Sequence, residues 1–165
     1  MDTPKISESS ESSEPVELQI VERLSETLPA QATLTLPFEA RRKSRLRTRL
    51  DNGADVGIFL PHGTVLHDGD RLRTTDGLVV EVRAALETIS TGCAADALTL
   101  ARAAYHLGNR HIPLQLGPGW LRYPHDHVLD GMVRDLGLEM TCEEVSFEPE
   151  SGAYSGGHHH AHEEE

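Results

Sequence analysis

Residues 97–137 read ALTLARAAYHLGNRHIPLQLGPGWLRYPHDHVLDGMVRDLG, and the order of signals inside them decides the fold of the second half of the chain. Residues 94–107 place Ala97, Leu98, Ala101, Ala104 and Tyr105 on one helical face, which predicts an amphipathic helix with that face inward. Gly108-Asn109 is the expected stop. Residues 112–116 and 120–123 flank the Pro118-Gly119 turn and read as paired strands. A second helix is expected from about Asp126, with Leu129, Met132, Val133 and Leu136 at the spacing of a buried stripe and Gly137 at its end. Strands at 85–90 before this block and 138–147 after it complete the order β, α, β, β, α, β. That order is the split βαβ, or ferredoxin-like, arrangement, with two helices on one face of a four-stranded antiparallel sheet. The other face and the sheet edges are places for a second copy or a partner to dock.

Upstream, short runs of period two are broken by the turn signals Asp51-Asn52-Gly53, Pro61-His62-Gly63, Asp68-Gly69-Asp70 and Asp76-Gly77. Strands are expected at 32–36, 45–50, 56–60, 71–74 and 78–82, forming a small antiparallel sheet or partial barrel with tight hairpins. The fold class is therefore α+β. Residues 1–15 read as a disordered Ser/Glu-rich lead, 16–83 as an N-terminal β domain, 84–150 as the ferredoxin-like domain and 151–165 as a flexible His-bearing tail. The basic run from Arg41 to Arg49 puts Arg45, Arg47 and Arg49 on one strand face, either as a solvated outer face or as a dock for an acidic partner.

Composition narrows the function. The 165 residues exclude a (β/α)₈ barrel, and a net charge of −12 argues against wrapping nucleic acid, because phosphate binding needs a basic face. No apolar run reaches the ~20 residues of a membrane span, and the start lacks the hydrophobic stretch of a secretory signal, so a cytoplasmic protein is expected. Cys93 and Cys142, far apart and outside any CxxC spacing, are expected to be small buried hydrophobes. No HExxH, GxxxxGK[ST] or GxSxG signature is present, so no catalytic residue is assigned.

The ten histidines are the functional clue. His106 lies off the helical face named above and His111 follows the helix stop. Together they are either a surface pair favoured by the helix dipole or metal ligands. His125 and His127 flank Asp126: in an extended or capping conformation the two rings share a side and offer two nitrogens to an ion, whereas with Asp126 as a simple N-cap both are only solvated. His158, His159, His160 and His162 lie in the last residues, as a tag remnant or as mobile ligands around a folded site. Imidazole without thiolate suits Ni(II), with Cu(II) and Zn(II) as competitors, and binding should weaken as the rings protonate. Two rival readings are a metal-dependent hydrolase using the His125-Asp126-His127 segment and a metal-independent chaperone-like adaptor.

Several motifs occur together in one order: residues 103–111, AAYHLGNRH; 125–129, HDHVL; 147–154, FEPESGAY; and, in the first half, Arg42-Lys43-Ser44-Arg45 and FLPHGTVL at 59–66 with Asp68-Gly69-Asp70 behind it. From about Leu18 to the C-terminus this set resembles the urease accessory nickel metallochaperones of the UreE family. The resemblance implies an N-terminal domain similar to the peptide-binding domain of a DnaJ-type chaperone and a ferredoxin-like metal-binding domain through which two protomers pair. It further implies a non-enzymatic nickel carrier in which two copies of His111 hold one Ni(II) across a homodimer. Tail histidines would complete the shell, and His125 and His127 would form a peripheral site. The implied partners are a second copy, a urease GTPase accessory protein and the apo-urease accessory complex, with no nucleic acid and no membrane.

Overall fold

A computed structural model describes residues 18–152; the expected lead at 1–15 and the tail histidines fall outside the described residues. Six strands form the first sheet: β1 (Leu18–Leu24), β2 (Ala32–Leu36), β3 (Arg45–Arg49), β4 (Asp55–Phe59), β5 (Arg71–Thr74) and β6 (Val79–Ala84). Their order is β2-β6-β5-β1-β4-β3. The five expected strands are present, because alternation along them puts Leu34, Val56, Ile58, Leu72, Val80 and Val82 into one core and the arginines outside. Asn52 and Gly53 make the β3–β4 turn, with Gly53 at a φ of 89°. Of the two alternatives the partial barrel holds, as a partly closed sheet, whereas a wholly antiparallel sheet does not: β1 runs parallel to β4 and β2 parallel to β6. β1 was not anticipated: a register shift between Ile20 and Glu22 breaks its alternation. One helical turn, α1 (Phe38–Arg41), interrupts the basic run.

The second sheet, ordered β10-β7-β9-β8, consists of β7 (Leu86–Cys93), β8 (Gln115–Gly117), β9 (Trp120–Pro124) and β10 (Glu139–Ser146), all antiparallel. With α2 (Ala97–Gly108) and α3 (His127–Asp135) the chain order is β-α-β-β-α-β, as the ferredoxin-like reading requires. Three details differ. α2 begins at Ala97 because Asp96 caps it, accepting from Thr99 N at 2.9 Å. Its buried residues are Ala103 and Leu107, with Leu100 and Ala104 partly buried, so of the expected inward face only Ala104 packs on the core. Leu98 and Tyr105 are 59% and 66% exposed. Residues 97, 98, 101 and 105 are spaced as a stripe, but the shorter row 100, 103, 104, 107 meets Leu121 and Tyr123 of the sheet. Cys93 and Cys142 are exposed rather than buried, because both lie in strands at positions the helices leave uncovered.

A strap after β10 ties the two sheets together. Arg41, fully buried, donates to the carbonyls of Leu36, Leu66 and Phe147 and to Glu148 at 2.7 Å. Glu148 also receives the amide of Asp68 at 3.0 Å and faces His67 Nδ1 at 3.0 Å. Phe38 packs edge-on against Phe147, with ring centroids 5.6 Å apart. An arginine read only as part of a basic run is thus the internal anchor of the fold, its charge satisfied by a carboxylate and three carbonyls. Among the described residues, no helix is long and apolar enough to cross a membrane.

Candidate metal-binding site

His111 ends α2, and it does so in a backbone conformation that glycine ordinarily takes. Its φ is 58°, and among the described residues it is the only non-glycine with positive φ. The closing bonds run from His111 N to the carbonyl of Gly108 (2.9 Å) and from Ile112 N to the carbonyl of Leu107 (3.3 Å), the paired bonds of a Schellman motif. Gly108 is still helical and Asn109, with φ −62°, continues the right-handed turn. The expected stop at Gly108-Asn109 is therefore displaced to His111. Ile112, next in the chain, packs on the core beside Leu107, which holds the turn in place. The His111 side chain is exposed.

His106 stands five residues earlier, partly buried, edge-on to Tyr105 at 5.4 Å. It lines a groove of about 420 Å³ with Arg110, Met132, Asp135 and Leu136.

His125 and His127 meet different fates. Asp126 is extended at φ −149° and its carboxylate accepts from Val128 N (2.8 Å) and Leu129 N (3.2 Å), so it is the N-cap of α3. Those two amide bonds, that of Leu129 foremost, hold the Asp126 carboxyl below the ordinary carboxylate range, with smaller help from His127 and His125. His127 is the first helical residue and is exposed. His125 instead leans back on the sheet. Its Nδ1 lies 2.9 Å from Ser90 Oγ and 3.2 Å from Asp130 Oδ2. Asp130 is 4% exposed and receives the Tyr123 hydroxyl at 2.8 Å. Burial, then the hydrogen bond and charge of Asp130, push the Tyr123 hydroxyl well above its ordinary pKa, so it stays a donor.

Ser90, His125 and Asp130 contain the residue types of a nucleophilic triad, but both partners meet the same ring nitrogen and Ser90 is fully buried. A relay needs one partner on each nitrogen. Sequence reading missed Asp130, Tyr123 and Ser90. No local signal set Asp130 apart, since an aspartate in the first turn of a helix is ordinarily solvated and favoured by the helix dipole.

Of the expected ligands, His106, His111, His125 and His127 lie among the described residues and His158, His159, His160 and His162 do not. No group of three or more His, Cys, Asp or Glu placed to hold a metal ion occurs among the described residues. The exposed imidazoles suit a borderline cation such as Ni(II), but a shell would need ligands from beyond this set.

The chain matches two family models: "UreE urease accessory protein, N-terminal domain" over residues 16–85 and "UreE urease accessory protein, C-terminal domain" over residues 78–165. It is similar to the urease accessory protein UreE of Alkalilimnicola ehrlichii, 58% identical over 139 residues that cover 84% of this chain and 85% of the relative. The Citrobacter koseri protein of the same description is 51% identical over 88% of this chain and 98% of its own length. The corresponding protein of Burkholderia orbicola is 52% identical over 86% and 70%.

Proposed function

The chain belongs to the UreE family of urease accessory proteins, and from that premise we propose that it is a cytoplasmic, non-enzymatic nickel metallochaperone. It binds Ni(II) across a homodimer and passes it, through a GTPase accessory protein, to the apo-urease complex. Its working parts are the β domain of residues 16–83 and the metal-binding domain of residues 84–150.

The observation that carries this reading is the backbone of His111. A left-handed residue at a helix end costs least as glycine, and a side chain there is kept at a cost of about 1 kcal/mol. An exposed imidazole that makes no side-chain hydrogen bond among the described residues gives that cost a purpose as a ligand. One imidazole is a poor site, and a two-fold axis supplies a second without further sequence. The helix that His111 terminates carries exposed Leu98 and Tyr105, apolar area that a second copy would cover.

The tail supports the same arrangement. Glu150 N donates to the carbonyl of Leu114 at 2.7 Å, so the chain is fastened three residues from His111 before it continues. His158 follows eight residues later, a reach of at most about 28 Å extended. That tether gives His158, His159, His160 and His162 a high effective concentration at His111. His125 and His127 form the peripheral site. Exchangeable imidazole coordination suits a donor, and Cu(II) and Zn(II) compete on the same ligands.

Calorimetric Ni(II) titration with mass measurement of the complex tests the reading. The full-length chain should take up one tightly held Ni(II) per dimer. The His111→Ala chain should lose that event by more than about a hundredfold, since one change removes two ligands. Undiminished uptake by His111→Ala lacking residues 153–165 would overturn it.

A further inference from the structure

The His125-Asp126-His127 segment looks like a symmetrical chelating pair, yet its two rings have different surroundings. Asp126 is committed to the α3 amides. His127 makes no side-chain hydrogen bond among the described residues, whereas His125 is held by two groups at a single nitrogen.

The groups around that nitrogen favour one placement of its proton. An ionised carboxylate only accepts. The Tyr123 hydroxyl donates to one Asp130 oxygen, and His125 Nδ1 faces the other. With a carboxylate oxygen 3.2 Å away, Nδ1 is the nitrogen to which we assign the proton, and Ser90 Oγ lies 2.9 Å from it. A neutral ring so protonated keeps its lone pair on Nε2. His125 is 38% exposed and Nδ1 faces its protein partners, so Nε2 is the nitrogen left for an external ligand.

We propose that Asp130, supported by Tyr123 and Ser90, is the positioning residue that locks His125 in the Nδ1–H tautomer and makes its Nε2 the leading donor of the peripheral metal site. This rests on the reading of His125 as a ligand. The carboxylate acts through geometry. It removes the tautomeric choice that a free imidazole must give up on binding, and it fixes the orientation of the ring, so that Nε2 points away from the protein partners of Nδ1. Its burial matters, because at 4% exposure little water competes for that proton. Tyr123 and Ser90 come from adjacent strands, β9 and β7, where they are direct cross-strand partners. Asp130 comes from α3 and closes over them. The device therefore exists only when the helix is docked on the sheet. His127, without such a partner, follows as a weaker ligand or leaves its place to a tail histidine.

Residue-resolved ¹⁵N spectroscopy of the imidazoles, on full-length metal-free protein and then with Ni(II) alone added in steps, tests this. In the metal-free chain His125 should carry its proton on Nδ1, while His127 has an ordinary tautomer mixture. On titration the His125 signals should respond before those of His127. Asp130→Ala should mix the His125 tautomers and raise the Ni(II) concentration needed to perturb that ring about 10- to 100-fold. Asp130→Asn, whose amide offers one acceptor oxygen where the carboxylate offers two, should likewise lose the preference or invert it, since its N–H₂ would face either Tyr123 or Nδ1. A wild-type His125 protonated on Nε2, or mixed, overturns the proposal without any variant having to fold. So does a response to Ni(II) that Asp130→Ala leaves unchanged. A tautomer locked as stated but a ring indifferent to Ni(II) overturns instead the reading of His125 as a ligand, and the positioning role with it.

Discussion

The two helices of the second sheet end with the same bonds and different residues. At the end of α3, Gly137 N reaches the carbonyl of Arg134 at 2.9 Å and Leu138 N that of Val133 at 3.3 Å. At the end of α2 the corresponding bonds are His111 N to Gly108, 2.9 Å, and Ile112 N to Leu107, 3.3 Å. The reversing residue has a φ of 98° in one and 58° in the other. Glycine fills the first position at no steric cost, and a histidine fills the second. The chain places glycine at one terminus and carries histidine, with its added strain, at the twin. Under the proposed function, that difference falls at the ligand-bearing end of the molecule.

Three substitutions would break or sharpen this comparison. The largest effect is expected from Gly137→Ala. An added Cβ would meet only Thr99 Cγ2, at an ordinary 3.7 Å, so the penalty is one of backbone, about 1–2 kcal/mol of unfolding free energy by chemical denaturation. A neutral outcome would show that the α3 terminus relaxes freely and would remove the contrast. His111→Gly should act in the opposite direction, stabilising by up to about 1 kcal/mol and raising Tm by a few degrees while nickel uptake is lost. A variant that gained nothing in stability would mean that the histidine is already comfortable there.

The smallest effect belongs to the other end of α3. Asp126 has its folded-state pKa lowered by the amides of Leu129 and Val128, so its charge favours the folded state above the ordinary aspartate range near 4. That contribution is lost as pH falls through the lowered value. Asp126→Asn keeps the cap but not the charge, so the wild type should be the more stable at pH 7 and the difference should vanish in strong acid. A gap between the two proteins that is independent of pH would assign the cap to shape alone.

Much of the fold was legible along the chain. The β-α-β-β-α-β order followed from local punctuation, because glycine, proline and capping aspartates act within a few residues of themselves. β1 was not legible, since its alternation is broken and its place between β4 and β5 is a long-range choice. The inward face of α2 was misjudged for a similar reason. Two apolar stripes share that helix, and only the residues waiting on the sheet decide between them. Arg41 shows the same limit, because nothing near it in sequence announces Glu148, more than a hundred residues away.

For the site, local composition named the histidines, since ligand chemistry belongs to a side chain wherever it lies. It also named Asp126 as one possible cap, because a cap bonds to its immediate successors. It could not say that His111 would adopt the left-handed turn, or that Asp130, Tyr123 and Ser90 would gather at one nitrogen of His125. Those facts depend on a helix being laid against two strands, and a hydrogen bond a few ångströms long exists only after elements distant in sequence have packed.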